Sequence, residues 1–566
     1  QQAGNEAGCH QRSFIAMIGF PETHASRRSW QQKFPTYAEH GMVGAAHPLT
    51  VETGVAILRD GGNAVDAIVG AGLTAAVVMP EMCGLGGDLF AVLHHPILGT
   101  FSLQGSGISP RNSSIEQMRA AGESGGRFMP DRGPLAISVP GMVDAYFALL
   151  ERFGSKTFAD VAQYAIAHAR DGYFVHDLGA QHIASYADML ANDEAAAAVF
   201  LPGGKPVGAG QRLVQADLAR TMESLGKDGR DSFYIGDIGQ RITSYLQAHG
   251  GALSIEDFSE HTSEIGKPIE TTYRGHTVYQ TAIPTQGMIL LEALNIVENG
   301  SFGDLWTAGD IHLITEAKKL AYADRLAHTA DQNFHHSPLE TLLSKQWGSK
   351  RFAAIDPAHA ASDVPGGDLS DGDTTYINAI DGSGLMVSMI QSVSSAFGSG
   401  VIGGDTGVVL NNRVGRGFSL VEGHPNIYAP GKKTMHTLNA FMVTDHEDRP
   451  VLVGGTPGGD GQPQWNMQVI VGLIDGGLDV QAAIDLPRFT SWPGTDPASI
   501  DNPFDLRVES RVGADVLAEL ESLGHTVVSQ GPWSGGGAMQ IISRDPDSGV
   551  IIGGSDARVE GSVLGF

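Results

Sequence analysis

The stretch LSDGDTTYINAIDGSGLMV, residues 369–387, sets an acidic, glycine-rich loop directly against two threonines and a run of strand-type residues. Threonine favours strands, so an Asp-Thr-Thr step is most simply the start of one. The same step admits a second chemistry. The Thr374 hydroxyl could attack the carbonyl of Asp373, giving an ester that water opens, so that Thr374 heads a new chain. Its own α-amine, with a reference pKa of about 7.7–8.0, would then serve as general base and no histidine would be needed. Such a nucleophile needs an oxyanion hole, which backbone N–H groups of adjacent glycines could supply.

Other chemistry-bearing motifs have simpler readings. GESGG (122–126) matches G-x-S-x-G, but its flanks MRAA and RFMP are not the strand and helix a nucleophile elbow requires, which predicts a solvent loop. The pairs His94-His95 and His335-His336 are adjacent residues without an HExxH pattern, so no metal is expected from them. GLGGD (84–88) lacks the Lys-Ser/Thr of a P-loop and reads as a packing loop. Cys9 and Cys83 are the two cysteines, too few for a disulfide framework or a zinc site by themselves. No cofactor is expected.

These residues must be held by a large folded chain. Of 566 residues 42% are apolar, and 36 basic against 63 acidic side chains give a formal charge of −27. That balance argues against nucleic acid and anionic lipid as partners. The apolar run 67–79 is too short to span a bilayer and predicts a buried helix. The N-terminus shows no basic-then-apolar signal pattern; the cytoplasm is the expected compartment, with periplasm and secretion as alternatives.

Residues 1–40 read as a polar extension, with order beginning at Gly41. Helical spacing covers Val51–Leu58, the pair Gly61-Gly62 ends it, and a second helix starts near Ala64. GLGGD leads into the strand LFAVLHH. MVDAYFALLERFG, FADVAQYAIAHARDG, GDIGQRITSYLQAHGG and IHLITEAKKLAYADRLAHTA (311–330) read as helices, and YRGHTVYQT (273–281) as extended. YINAI and LMVSMI around DGSG form a hairpin signature. Beyond it short strands and glycine loops dominate, with one helix around 513–524. The alternating blocks predict sheets covered by helices.

From about residue 41 onward the chain resembles the gamma-glutamyltranspeptidase family. GMVGAAHPL, ILRDGGNAVDA, SVPGMV, YRGHTVY and EAKKLAYADR look like its large-subunit motifs. SSAFGSGVIGGDTGVVLNN, GGTPGGDGQ, LPRF and GGSDARVEG look like its small-subunit motifs. The resemblance implies an α/β fold, the four-layer αββα N-terminal-nucleophile hydrolase sandwich. It also implies cleavage between Asp373 and Thr374, giving a large subunit 41–373 behind the 1–40 extension and a small subunit 374–566, intertwined in one domain. Thr374 matches the nucleophile, Ser392 a hydroxyl that bonds it, and Gly458 and Gly459 the oxyanion-hole pair.

The substrate-binding positions depart from the family. Ser106 stands where an arginine holds the glutamyl α-carboxylate. Arg413, followed by Arg416-Gly417, stands near the acid that holds the α-amino group. His436-Thr437 replace a serine pair, and Ser394 replaces an asparagine. The α-amino-acid clamp therefore looks dismantled. Arg413 either faces the pocket, or points to solvent or pairs with one of the many surface acids. The expected function is an autoprocessing amidohydrolase taking a small amide and water, with an acyl group unlike gamma-glutamyl, in the manner of oxamate amidohydrolases and cephalosporin acylases. The alternatives are a true gamma-glutamyltransferase or glutathione hydrolase with a rebuilt clamp, and a catalytically silent scaffold. The expected assembly is a heterodimer of the chain's own two fragments, with a dimer of these as an option.

Overall fold

The computed structural model describes residues 32–303, 305–362, 373–495 and 502–566. Cys9, residues 1–31 of the expected extension and most of the acidic loop before Thr374 lie outside the described residues.

Two seven-stranded antiparallel sheets pack face to face. In the first the order is Thr36–Ala38, Ile551–Ser555, Gln540–Arg544, Pro450–Gly455, Phe441–Thr444, His276–Gln280, Ile269–Tyr273. In the second it is Ser562–Gly565, Gly41–Ala45, Asp373–Asp381, Met386–Ser394, Asp88–His95, Gly99–Gly105, Glu264–Gly266. Met42, Val92, Ile380, Met442, Val453 and Ile542 form the apolar layer between the sheets. The strand Asp373–Asp381 shows why its sequence is almost continuously apolar. Ile377 and Ala379 point to the outer helices, while Tyr376 and Ile380 point to the other sheet. A strand buried on both faces loses the polar half of its alternation. Its one buried amide, Asn378, donates across the interlayer to the carbonyls of Val453 and Gln540, each at 3.2 Å.

Helices Pro48–Arg59, Ala64–Val78, Met142–Phe153 and Phe158–Asp171 cover the second sheet. Ala64–Val78 is buried along its whole length and begins in a capping box built by Asn63 and Asp66. Gly287–Val297, Ala308–His328, Gln462–Ile474 and Val480–Asp485 cover the first sheet. The layers are thus helix, sheet, sheet, helix, as expected. Among the described residues no helix is long and apolar enough to cross a membrane.

Two boundaries differ from the sequence reading. Order begins before Gly41: Thr36–Ala38 is an edge strand paired with Ile551–Ser555, and Lys33 Nζ donates to the carbonyls of Asp556 and Gly561, each at 2.9 Å. A three-residue strand takes its pairing from a partner some 500 positions away, which no local pattern encodes. The C-terminal part also holds more helix than the one at Ala514–Ser522. In Gln462–Ile474 the residues Gln462, Gln464, Asn466 and Gln468 alternate with apolar ones and imitate a strand. All four are buried and bonded to neighbouring segments, Gln468 to Phe489 and Asn466 to Asn439 for example.

Candidate active site

Thr374 is 1% exposed and lies at the start of a central strand. The ladder to the next strand slips here. Asp373 pairs with Ser394 and Thr375 with Gln391, so Thr374 sits in a bulge. A bulge re-aims one side chain without ending the strand. The Thr374 hydroxyl lies 3.4 Å from Ser392 Oγ, which accepts from the Ser394 amide at 2.7 Å. Ser394 is held at φ 90°, an uncommon backbone for a serine. Its carbonyl accepts from Arg416 Nη1 at 3.2 Å. Thr374, Ser392, Ser394 and Arg416 therefore form one connected chain of contacts.

The GLGGD loop supports this row from below, as a packing loop should. A Cβ on Gly87 would meet the Ser392 carbonyl oxygen at 2.3 Å, so only glycine allows the approach. The loop delivers Asp88 opposite Ser392 in the ladder.

Thr374 and Gly458 line one cavity of about 390 Å³, together with Trp465, Pro457, Gly535–Gly537, His47, His176 and Glu81. Gly458 (φ 122°) and Gly459 (φ 51°) turn the chain into the helix Gln462–Ile474. Among the described residues neither glycine amide donates to a backbone carbonyl, whereas the Gly461 amide donates to Gly458. Two successive N–H groups without a backbone acceptor are of the kind that can take up a negative charge, and Gly458 shares its cavity with Thr374. The indole of Trp465 fixes this turn. Its Nε1 is tied to Thr490 Oγ1 at 2.8 Å, and a Cβ on Gly458 would meet the ring at 2.2 Å.

A second cavity of about 300 Å³ is lined by Arg413, Arg416, Arg325, Thr437, Asp460 and Thr495, among others. Gln286 links its wall to the Gly458-Gly459 turn, since its side-chain amide donates to the Thr437 carbonyl and, at 2.7 Å, to the Gly459 carbonyl. Arg413 both lines this cavity and pairs with an acid. Its Nε donates to Asp88 Oδ2 at 3.0 Å, and both side chains are buried. Burial pushes the Asp88 carboxyl up to about 6, against the pull of Arg413, so it is ionised at neutral pH. Arg413 Nη2 is buried without a hydrogen-bond partner.

Ser106 and His436 line neither cavity. They are bonded to each other, Oγ to Nε2 at 2.6 Å, with His436 fully buried against Phe90. Burial, reinforced by Arg413, pushes the His436 imidazole well below its ordinary range, so it is neutral. GESGG is an exposed turn with Ser124 at φ 49°, and Cys83 is a buried free thiol.

Three participants had no assigned part in the sequence reading: Arg325, Asp88 and Asp460. Arg325 lies within EAKKLAYADR. Its Nη2 holds the His436 carbonyl at 2.7 Å and its Nη1 holds Thr495 at 2.8 Å. Arg325 is buried on a helix that also buries Lys318, Lys319 and Asp324, so its sequence neighbourhood does not single it out.

The Arg413–Asp88 pair gives a stability prediction. Removing one member of a buried pair strands the other charge, at a cost of about 3–5 kcal/mol. Arg413→Ala should lower the melting temperature by several degrees, and adding Asp88→Asn should recover part of the loss. Equal melting of wild type and Arg413→Ala would remove the pair from the account of the site.

The gamma-glutamyltranspeptidase family model matches residues 50–566. The glutathione hydrolase-like YwrD proenzyme of Bacillus subtilis is 36% identical over 93% of this chain and 98% of its own. The oxamate amidohydrolase proenzyme of Klebsiella pneumoniae is 34% identical over the same shares. The crystal structure of cephalosporin acylase from Bacillus halodurans superposes with a TM-score of 0.87 at 31% identity, covering 97% of this chain and 99% of that one. Fold and sequence agree, and the chain belongs to the gamma-glutamyltranspeptidase family.

Proposed function

We propose that the protein cuts itself between Asp373 and Thr374 and then hydrolyses small amides through a threonyl ester at Thr374, taking acyl groups that carry a carboxylate but no α-ammonium. The observation behind the chemistry is the conjunction at Thr374: a hydroxyl re-aimed by a bulge, Ser392 beside it, and on the same cavity Gly458, whose amide, like that of the adjoining Gly459, has no backbone acceptor among the described residues.

In maturation the Thr374 Oγ1 bonds to the Asp373 carbonyl carbon, the peptide C–N bond breaks, and the hydroxyl proton passes to the departing nitrogen, which becomes a free amine. Water then opens the ester. In turnover that amine takes the hydroxyl proton as Oγ1 attacks the substrate carbonyl, and Ser392 steadies the oxygen. The developing oxyanion points at the Gly458 and Gly459 amides, and the amine returns the proton to the leaving nitrogen. Water repeats the sequence on the acyl-enzyme. The two fragments would stay associated, because each sheet draws strands from both sides of residue 373.

The substrate class follows from the second cavity. Three arginines face one aspartate there, and Arg413 Nη2 offers a donor without a partner. A buried unpaired guanidinium N–H is costly until an anion meets it, which suits a substrate carboxylate. Asp460, the acid available to hold an α-ammonium, already accepts from the Thr495 amide at 2.6 Å and its hydroxyl at 2.9 Å. The relative named for oxamate, an amide that carries a carboxylate, supports this reading. The gamma-glutamyl alternative would need Asp460 to exchange those bonds for an ammonium.

The comparison that decides is kcat/KM for a glutaryl anilide against the gamma-glutamyl anilide, which differs by one α-amine. The glutaryl compound should be better by about 10-fold or more, the value of roughly 1.4 kcal/mol of unmet ammonium desolvation. A better gamma-glutamyl substrate would favour the alternative. No turnover of any amide by correctly cleaved protein would favour the silent scaffold.

A further inference from the structure

Helix Ala308–His328 carries His312 and Glu316 one turn apart and therefore on one face. His525, in the loop after helix Ala514–Ser522, meets them there. All three are buried, at 3%, 4% and 7% exposure. His312 Nδ1 and His525 Nε2 are 2.9 Å apart, and both lie within 4.8 Å of a Glu316 carboxylate oxygen.

The surroundings orient this trio as metal ligands are oriented. His312 Nε2 bonds the Asp356 carbonyl at 2.8 Å. A carbonyl only accepts, so Nε2 carries the hydrogen and Nδ1 presents its lone pair to the cluster. A backbone carbonyl fixing the outer nitrogen is the usual support of a ligating histidine. Glu316 Oε2 accepts from the Ala361 amide at 3.1 Å, which fixes the carboxylate.

We propose that His312, Glu316 and His525 form a divalent transition-metal site, suited to Zn²⁺, with a fourth position left to water. Two histidines and a carboxylate are a zinc ligand set. Tetrahedral zinc sets two imidazole nitrogens about 3.3 Å apart, so the rings need to separate by a few tenths of an ångström and His525 to carry its hydrogen on Nδ1. The opposing charge is Lys319, whose Nζ donates to Glu316 Oε1 at 2.7 Å. It has a second acceptor in the Ala361 carbonyl, also at 2.7 Å. An ion on Glu316 would shift Lys319 toward that carbonyl.

The site is separate from Thr374 but shares a helix with Arg325. His312 and Glu316 precede residue 373 and His525 follows it. Given the cleavage proposed above, the ion would tie the two fragments together and hold down the segment Asp356–Ala361 that leads to the cleavage region.

The test uses the whole purified protein, stripped with chelator and titrated with Zn²⁺ by calorimetry. It should take up one ion per chain, and the melting temperature should rise by several degrees. His312→Ala and His525→Ala should each weaken binding by about 100-fold or more and abolish the thermal shift. Co²⁺ in place of Zn²⁺ should give the intense visible bands of a tetrahedral centre. Uncleaved Thr374→Ala protein should bind equally, so the result stands apart from the fate of the cleavage reading. Absence of stoichiometric uptake by the wild type would overturn the proposal, as would equal affinity in both histidine variants, which would point to surface histidines. Should either variant fail to fold, the wild-type Co²⁺ spectrum decides: a tetrahedral spectrum supports the site and an octahedral one refutes it.

Discussion

Thr374→Ala should leave one uncleaved chain and reduce amide turnover by roughly 10⁵-fold or to background, the order seen when a nucleophile is deleted. The reason is local. Thr374 supplies both the attacking oxygen and, after cleavage, the amine that moves its proton. The neighbouring Thr375 cannot stand in. Its hydroxyl is buried toward the helical layer, 3.7 Å from Met79 Sδ. Thr374→Ser keeps a hydroxyl at the same bulge and should still cleave and turn over at a reduced rate. Denaturing electrophoresis with a steady-state assay reads both effects. Substantial turnover by Thr374→Ala would move the chemistry elsewhere.

Gly458→Ala should lower kcat by about 10²–10³-fold, the cost of misplacing an oxyanion donor. The geometry makes even one methyl too large. Gly458 holds φ 122°, which side-chain-bearing residues rarely adopt, and its Cβ would lie 2.2 Å from Trp465 Cζ3. The indole is boxed in, because added methyls on Gly461, Gly536 and Gly537 would strike it as well. The turn must therefore shift, carrying the amides of Gly458 and Gly459 with it. Because the hole serves the transition state, kcat should fall more than KM rises. A thermal melt run in parallel shows whether the variant remains folded. A folded Gly458→Ala enzyme with wild-type kcat would exclude these amides from the reaction.

Much of this arrangement was legible in the sequence, and the part that was not has a common cause. Capping residues, glycine stops and turn glycines act locally. The helices Pro48–Arg59 and Ala64–Val78 and the hairpin around DGSG accordingly stand where their residues put them. The glycine corner was legible through the family's motif and then explained by Trp465. What stayed hidden depends on distant partners. Helix Gln462–Ile474 falls in the part read as short strands and glycine loops, and its buried glutamines and asparagines are satisfied by hydrogen bonds with other segments. Arg413 offered a choice between facing the pocket and pairing with an acid. It does both, since the acid, Asp88, lies in the wall itself. His436 reads as a polar contact for substrate, yet its Nε2 is spent on Ser106. The trio of His312, Glu316 and His525 escapes a search for adjacent histidines because its members are 213 positions apart at the extremes.

The most direct test of the central claim is the intact mass and N-terminal sequence of the wild-type protein after purification. The account predicts two chains under denaturing conditions, the smaller beginning TTYINAI at Thr374. It also predicts that they co-elute as one particle under native conditions, since their strands interleave in both sheets. A single uncleaved chain that nevertheless hydrolyses amides, or a small chain beginning at any other residue, would contradict it.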